Sequence, residues 1–464
     1  MVAFEVHATL PEIIKPSSPT PNHLRSFKLS ALDQLVDGTT YSPVWYFYTS
    51  SKDDHHMSMS MEGHLVTLKN SLSRTLTRFY PLAGRINSDC TTIDCNDEGA
   101  LFRQAKVSCD MDDFLEQVSL EFELLYKLLP CQLPCPEGVE KVAQVAIQAN
   151  VFACGGIALG MCLLYKILDG TSVTAFIKAW AEIARTDVYD FGGQEQVSGC
   201  SSLFPPNESL STPLADLQVL EAARDGEAKR HSSIKRFVFD ASSLSSLKHK
   251  ARSKNVPNPS RVEVICALFW KCLAISTSST SVFINFVNLR ARLDPPLPAL
   301  SLGNIYWLAV AIDDQITNGS VKSDENKKQL PYFVHLLRKS FKTIDSMYLK
   351  NFQGEQGFER ICKFQEDAKE MYSKKGLILE ASALNLMGWY DADFGWGAPS
   401  WVTCAPSYRN EIILMQTKSG DGIEASMMLD DHQLAILEHD PDFRAHTRRG
   451  HAVEPVKRRL ISNL

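Results

Sequence analysis

Residues 142–180 read VAQVAIQANVFACGGIALGMCLLYKILDGTSVTAFIKAW, and this stretch decides the fold. Val142 to Phe152 is rich in Val, Ile and Ala and alternates in part, which is the pattern of a strand. Cys154-Gly155-Gly156 is a small-residue turn, and Ile157 to Leu164 is a second strand-like run, so the pair reads as a hairpin. A helix follows Thr171-Ser172. Ser172 is placed to cap it, and Val173, Phe176, Ile177 and Trp180 share one face. An antiparallel pair running into a helix is not the unit of a doubly wound parallel sheet.

Outward from this stretch the pattern stays irregular. On the N-terminal side, Pro16 to Pro21 is an extended lead-in, Val44 to Tyr48 a strand, and Leu65 to Arg78 a helix stopped by Pro81 and Gly84. On the C-terminal side, Arg185 to Arg230 is polar and reads as a surface crossover. Strands are expected at Arg236–Asp240, Phe283–Leu289, Leu384–Tyr390 and Ile412–Gln416, a buried helix at Val262–Ser276, and a loop at Asn318–Lys328. No internal repeat of 20–50 residues is visible. Short strands and helices without regular βαβ alternation predict an α+β class. The expected division is an N-terminal lobe over 1–190, a crossover over 191–232, a C-terminal lobe over 233–440 and a basic, disordered tail over 441–464.

Bulk properties narrow the function classes. The chain has 464 residues, 44% hydrophobic and 22% charged, as in an ordinary globular protein of one large two-lobed unit or two domains. A net charge of −6 supplies no basic field for nucleic acid. No apolar run reaches membrane-spanning length, Met1 to Pro16 has no signal-peptide pattern, and Ser462-Asn463-Leu464 falls short of a peroxisomal address. The twelve cysteines are scattered, several in apolar stretches (Cys154, Cys162, Cys266, Cys272), so reduced thiols in a cytoplasmic protein are expected. Cys131 and Cys135 have no second Cys/His pair at zinc spacing, and no metal is expected.

Several blocks stand at intervals along the chain. They are Lys15-Pro16-Ser17-Ser18-Pro19-Thr20-Pro21, Leu29-Ser30-Ala31-Leu32-Asp33-Gln34, and Phe79-Tyr80-Pro81-Leu82-Ala83-Gly84-Arg85. Tyr165-Lys166-Ile167-Leu168-Asp169-Gly170 comes next, then Asn288-Leu289-Arg290, Pro295-Pro296-Leu297-Pro298, Gly303-Asn304, and last Asp393-Phe394-Gly395-Trp396-Gly397. In this order, over roughly residues 10 to 430, they resemble the plant BAHD acyltransferases, in particular the branch that holds alkaloid acetyltransferases. The resemblance implies two similar lobes of chloramphenicol-acetyltransferase-like fold with a solvent channel between them. It also implies a monomer without metal, using acyl-CoA as co-substrate, with none bound permanently, and a small-molecule alcohol or amine as acceptor.

The family's central motif is His-x-x-x-Asp, and here Tyr165 stands at the histidine position. The family histidine takes the proton of the acceptor. A free phenol has a pKa near 10, so only about one in a thousand is ionised at neutral pH, and burial raises the value further. Tyr165 is thus a poor base, but it can donate a proton, orient a substrate or simply pack. The resemblance assigns Asp169 a structural pairing with Arg290, and gives the Asp393, Phe394, Gly395, Trp396 and Gly397 loop a supporting role. Gly170 is expected at a turn that a Cβ would obstruct. Leu164, Thr174 and Asn385 are the candidate pocket residues, Asn385 because it departs from the family's usual residue there. Ser260 and Arg261 open a helix whose N-terminus suits a phosphate of CoA, though surface capping explains them equally well. Three functions stay open. The first is acyl transfer with an altered site. The second is a repurposed lyase or cyclisation/condensation catalyst using Tyr165. The third is a non-catalytic binding protein.

Overall fold

A computed structural model gives the fold and describes residues 3–36, 40–49, 60–131, 142–189, 197–207, 210, 232–274, 280–298, 300–313, 329–373 and 376–449. In the N-terminal half the strands are β1 (Val6–Ala8), β2 (Glu12–Ile14), β3 (Ser26–Lys28), β4 (Tyr41–Tyr48), β5 (Arg85–Ile86), β6 (Thr92–Asp94), β7 (Ala100–Val107), β8 (Val145–Phe152) and β9 (Ile157–Leu164). The C-terminal half contributes β10 (Ser232–Phe239), β11 (Ser281–Asn288), β12 (Tyr306–Asp313), β13 (Leu377–Ala383), β14 (Trp401–Cys404), β15 (Glu411–Gln416), β16 (Ile423–Asp430) and β17 (Arg448–Arg449).

The expected hairpin is β8–β9, with Val151 opposite Ile157. Every residue of β9 is buried, in a core shared with helices Met61–Arg78 and Gly170–Thr186 and with the Phe122–Leu128 turn. Gly160 shows how tightly that turn sits: a Cβ there meets the Leu128 carbonyl oxygen at 2.0 Å. The first large sheet runs β1-β7-β8-β9-β4-β14, with β2 also on β7; β7 and β8 are parallel and the other pairs antiparallel. Helices Met61–Arg78 and Gly170–Thr186 pack together over it, joined by the Trp180 indole N–H, which donates to Leu68 O (3.1 Å) and Ser71 Oγ (3.0 Å).

The second large sheet runs β12-β11-β13-β15-β16-β10-β17. One face carries Phe283, Leu379, Ala381, Ile412, Leu414 and Met427, packed against helix Arg261–Ala274, which is buried from Glu263 to Ala274. The alternate residues, among them Phe286, Tyr306, Leu308, Glu411 and Ile413, look the other way, toward the first lobe. A small sheet, β3-β6-β5, flanks the first.

Four local readings are corrected. The apolar run Leu384–Tyr390 is not a strand: β13 ends at Ala383, and the chain turns through Gly388 (φ +68°) into a short helical turn at Trp389–Asp391. Asp169, not Ser172, caps the helix Gly170–Thr186, accepting the Ser172 N–H at 2.8 Å. Residues 441–449, assigned to a disordered tail, form helix Pro441–His446 and edge strand β17, held by Phe443 packing on Phe237 and Phe269. Strand β14, inside the range given to the C-terminal lobe, completes the N-terminal sheet by pairing with β4. The loop expected at Asn318–Lys328, and most of the crossover, lie outside the described residues.

Candidate active site

Between the sheets lies a cavity of about 1310 Å³ lined from both lobes, with Tyr41, Val44, Arg103 and Tyr126 on one side and Phe286, Asn288, Tyr306, Leu308 and Ile413 on the other. Tyr165 enters it directly from the end of β9. Its backbone is fixed by two bonds: the N–H donates to Thr40 O (2.9 Å), and the carbonyl accepts from Asn304 Nδ2 (2.8 Å). Lys166 turns inward and donates to Val36 O at 2.6 Å, which leaves the Tyr165 ring facing the cavity. The Tyr165 hydroxyl meets the Tyr306 hydroxyl at 3.4 Å. Burial, the Tyr306 phenol and the charges of Glu411 and Asp169 push the Tyr165 pKa well above the ordinary phenol value. Its proton therefore stays in place across the neutral range.

Behind Tyr165 the motif loop is pinned by an ion pair. Asp169 Oδ2 accepts from Arg290 Nη1 at 2.7 Å and Oδ1 from Nη2 at 3.1 Å, with both side chains buried. Arg290 also reaches Ser172 Oγ (3.0 Å) and Ser301 O (2.8 Å). The Gly303-Asn304 segment is the second strut. Asn304 N donates to Asp33 Oδ1 (2.6 Å), and Gly303, at φ +134°, lies against the same carboxylate, where burial raises the Asp33 pKa. A backbone bridge joins Leu168 to Gly303. Gly170 proves to be the first residue of a helix with ordinary φ. Its missing Cβ makes room for Leu384 Cδ2 (2.7 Å) and Met387 Sδ (3.2 Å), and both of those side chains line the cavity.

The remaining candidates fall elsewhere. Leu164 is fully buried in the first-lobe core, and Thr174 turns its hydroxyl back onto the Gly170 and Thr171 carbonyls. Asn385 is buried beside the cavity, whose wall there is Leu384 and Met387. None of the three lines the cavity, while Thr171 and Val173 do. Ser260 and Glu263 form a reciprocal cap (Ser260 N to Glu263 Oε2 2.7 Å, Glu263 N to Ser260 Oγ 3.1 Å), and Arg338 pairs with the same carboxylate. Ser260 and Glu263 line a second pocket together with Arg292, Arg338 and Lys342. Arg261 is spent on the Gly420 and Asp421 carbonyls. Asp393 accepts the Gly395 and Gly397 N–H groups at 2.8 Å each. Phe394 meets Trp180 at 4.8 Å, Trp396 meets His64 at 4.6 Å, and no residue from 393 to 397 lines the cavity.

Sequence reasoning missed the acidic and phenolic wall. Glu380 accepts from Tyr372 and from Tyr408 (2.5 Å), and Glu411 stands beside Glu380 in the β13–β15 register. The available signal was a charged residue inside the apolar run of β13, Leu-Ile-Leu-Glu380. None of the described histidines lines the cavity. Among the described residues no cluster of His, Cys, Asp or Glu is arranged to hold a metal, and no helix is long and apolar enough to cross a membrane.

Two sheet-rich lobes of mixed α/β structure face each other across a lined cavity, a two-lobed architecture without a barrel among the described residues. The model of the Transferase family matches residues 4–444, and the chain belongs to that family, the BAHD acyltransferases. Akuammiline synthase 2 of Alstonia scholaris is 34% identical over 459 residues, covering 94% of this chain and 95% of its own. Stemmadenine O-acetyltransferase of Catharanthus roseus is 32% identical over 450 residues, covering 92% and 95%. The crystal structure of vinorine synthase superposes with a TM-score of 0.76 at 30% identity, covering 97% of this chain and all of that one. The chain is an acyltransferase-family enzyme of plant specialised metabolism.

Proposed function

We propose that this enzyme transfers an acyl group from acyl-CoA to an alcohol or amine of a specialised, alkaloid-like metabolite, without a histidine base. One observation carries the reading: the protonated Tyr165 phenol is presented in the wall of the inter-lobe cavity, on a loop held by Asp169–Arg290. A phenol that keeps its proton cannot deprotonate the acceptor. It can donate a hydrogen bond to the thioester carbonyl, which becomes an oxyanion as the tetrahedral intermediate forms. Holding acceptor and thioester together in one cavity supplies a further large part of the rate. We further propose a monomer in a reducing, cytoplasmic setting, where scattered cysteines such as Cys266 and Cys272 stay as thiols.

The same phenol supports the second reading, a lyase or cyclisation/condensation catalyst in which Tyr165 donates a proton. Acetyl-CoA and a panel of alkaloid alcohols and amines separate the two. Transfer by the wild type, lowered about 100-fold in kcat by Tyr165→Phe, is the expected result. No transfer by the wild type together with transfer by Tyr165→His rules out acyl transfer as the native reaction.

A further inference from the structure

The acyl-transfer reading leaves the acceptor's proton without a destination. Three carboxylates line the cavity among the described residues: Glu123, Asp169 and Glu411. Asp169 is committed to Arg290, and Glu123 accepts the Ile234 N–H at 3.1 Å, bridging the Phe122–Leu128 turn to β10. Glu411 differs from both. It opens β15 in phase with Ile413, so the strand's alternation turns it onto the cavity face, and it is 8% exposed there. Its carboxylate rests on backbone N–H groups, with Ser407 N at 2.6 Å from Oε2, and among the described residues neither a cation nor a side-chain donor meets it.

The groups that face Glu411 come from every neighbouring element. They are Glu380 on β13, Tyr408 on the turn before β15, Tyr126 on the first-lobe turn, Cys404 at the end of β14, and Tyr165 itself. Tyr372 joins them through Glu380, and the nearby Arg409 pairs with Asp430 at 3.0 Å. Apart from Arg409, which is paired with Asp430, these neighbours are acidic or neutral. Burial, with the adjacent Glu380 charge, pushes the Glu411 carboxyl up to about 8. A base works best when its pKa lies near ambient pH.

We propose that Glu411 is the proton acceptor of the reaction, taking the proton of the attacking group and returning it to the coenzyme A sulfur. The acceptor oxygen or nitrogen bonds to the thioester carbon as its proton passes to Glu411, and Tyr165 donates to the carbonyl oxygen. The C–S bond then breaks, and the carboxylic acid of Glu411 protonates the departing thiolate. Ester or amide and free CoA thiol leave, and Glu411 is again a carboxylate. The assignment rests on the acyl-transfer reading.

The test follows thiol release from acetyl-CoA, with the acceptor panel and with water alone, from pH 6 to 9. Wild-type kcat is expected to rise with pH and level off near 8. Glu411→Gln keeps the backbone contacts, and is expected to lose about 100-fold in kcat together with the pH rise, with CoA affinity within twofold of wild type. Glu411→Asp, which retains a carboxyl, is expected to restore about tenfold of the loss. A wild-type rate that is flat over this range overturns the assignment without any variant, as does a Glu411→Gln enzyme within twofold of wild type. A wild type that releases no thiol with any acceptor overturns the acyl-transfer reading itself, a different and distinguishable failure.

Discussion

Asp169 uses two oxygens for three tasks. It caps the helix Gly170–Thr186 through the Ser172 N–H, holds Arg290 with both oxygens, and receives the Ile305 N–H at 3.1 Å. Removing its charge leaves the Arg290 guanidinium buried without a counter-ion. Asp169→Asn is expected to cost about 3–5 kcal/mol of stability, read by urea denaturation. Glu411 makes the opposite kind of contribution. Its folded pKa is raised to about 8, so the folded state binds that proton more tightly than the unfolded chain does. Its contribution is fully present below about pH 4.5 and is lost as pH rises toward 8. The melting temperature is expected to fall across that window, and Glu411→Gln to flatten the fall, as seen by calorimetry at a series of pH values. The contrast explains what was legible. Tyr165, Asp169 and Arg290 stand in recognisable blocks, and the motif loop is held by bonds between those blocks, Asp169 to Arg290 and Tyr165 to Asn304. Glu411 belongs to no block; only the register of β15 beside β13 gives it a cavity to face.

At the scale of elements, two glycines show why similar residues carry different roles. Gly395 has φ +104° and no atom closer to its Cβ position than Arg185 Cα at 4.0 Å, so it is needed for conformation and not for room. Gly395→Ala is expected to cost about 1–3 kcal/mol while leaving kcat per folded molecule within twofold. At Gly170 the backbone is ordinary and the crowding is real, from Leu384 and Met387. Gly170→Ala is expected to raise KM for the acceptor severalfold with a small change in melting temperature, measured by steady-state kinetics beside calorimetry. The hairpin β8–β9 and the helices at 61–78 and 261–274 were readable because each has its own period. The run Leu384–Tyr390 misled because it is apolar for another reason: Leu384, Met387 and Trp389 wall the cavity. Leu164 and Thr174 misled in the opposite direction, since neighbouring a site in sequence says nothing about which way a side chain points.

Over the whole molecule the two lobes share material. β14 leaves the C-terminal half to pair with β4, and there Arg236 of β10 lies over the Trp401 ring at 4.4 Å while pairing with Glu424 at 2.6 Å. First-lobe and second-lobe side chains, Ile413 and Met415 among them, sit in one continuous core. Unfolding is expected as one transition, with near- and far-ultraviolet circular dichroism coinciding along a urea series. Two resolved transitions contradict this.

That borrowed strand also sets how ligands travel. A clam-shell enzyme admits its substrate by swinging two jaws about a hinge, and jaws can swing only where nothing is stitched across the gap. Here a swing must first peel four residues of β14 from β4 and expose Val44, Trp45, Tyr46 and Phe47 along a bare sheet edge. Ligand entry is therefore expected to need little relative movement of the two lobes, which hydrogen exchange of the β14 and β4 amides with and without ligand would read. Selectivity is then expected to fall to side chains of the cavity wall such as Leu384, Met387, Phe286 and Tyr306, more than to a closing motion.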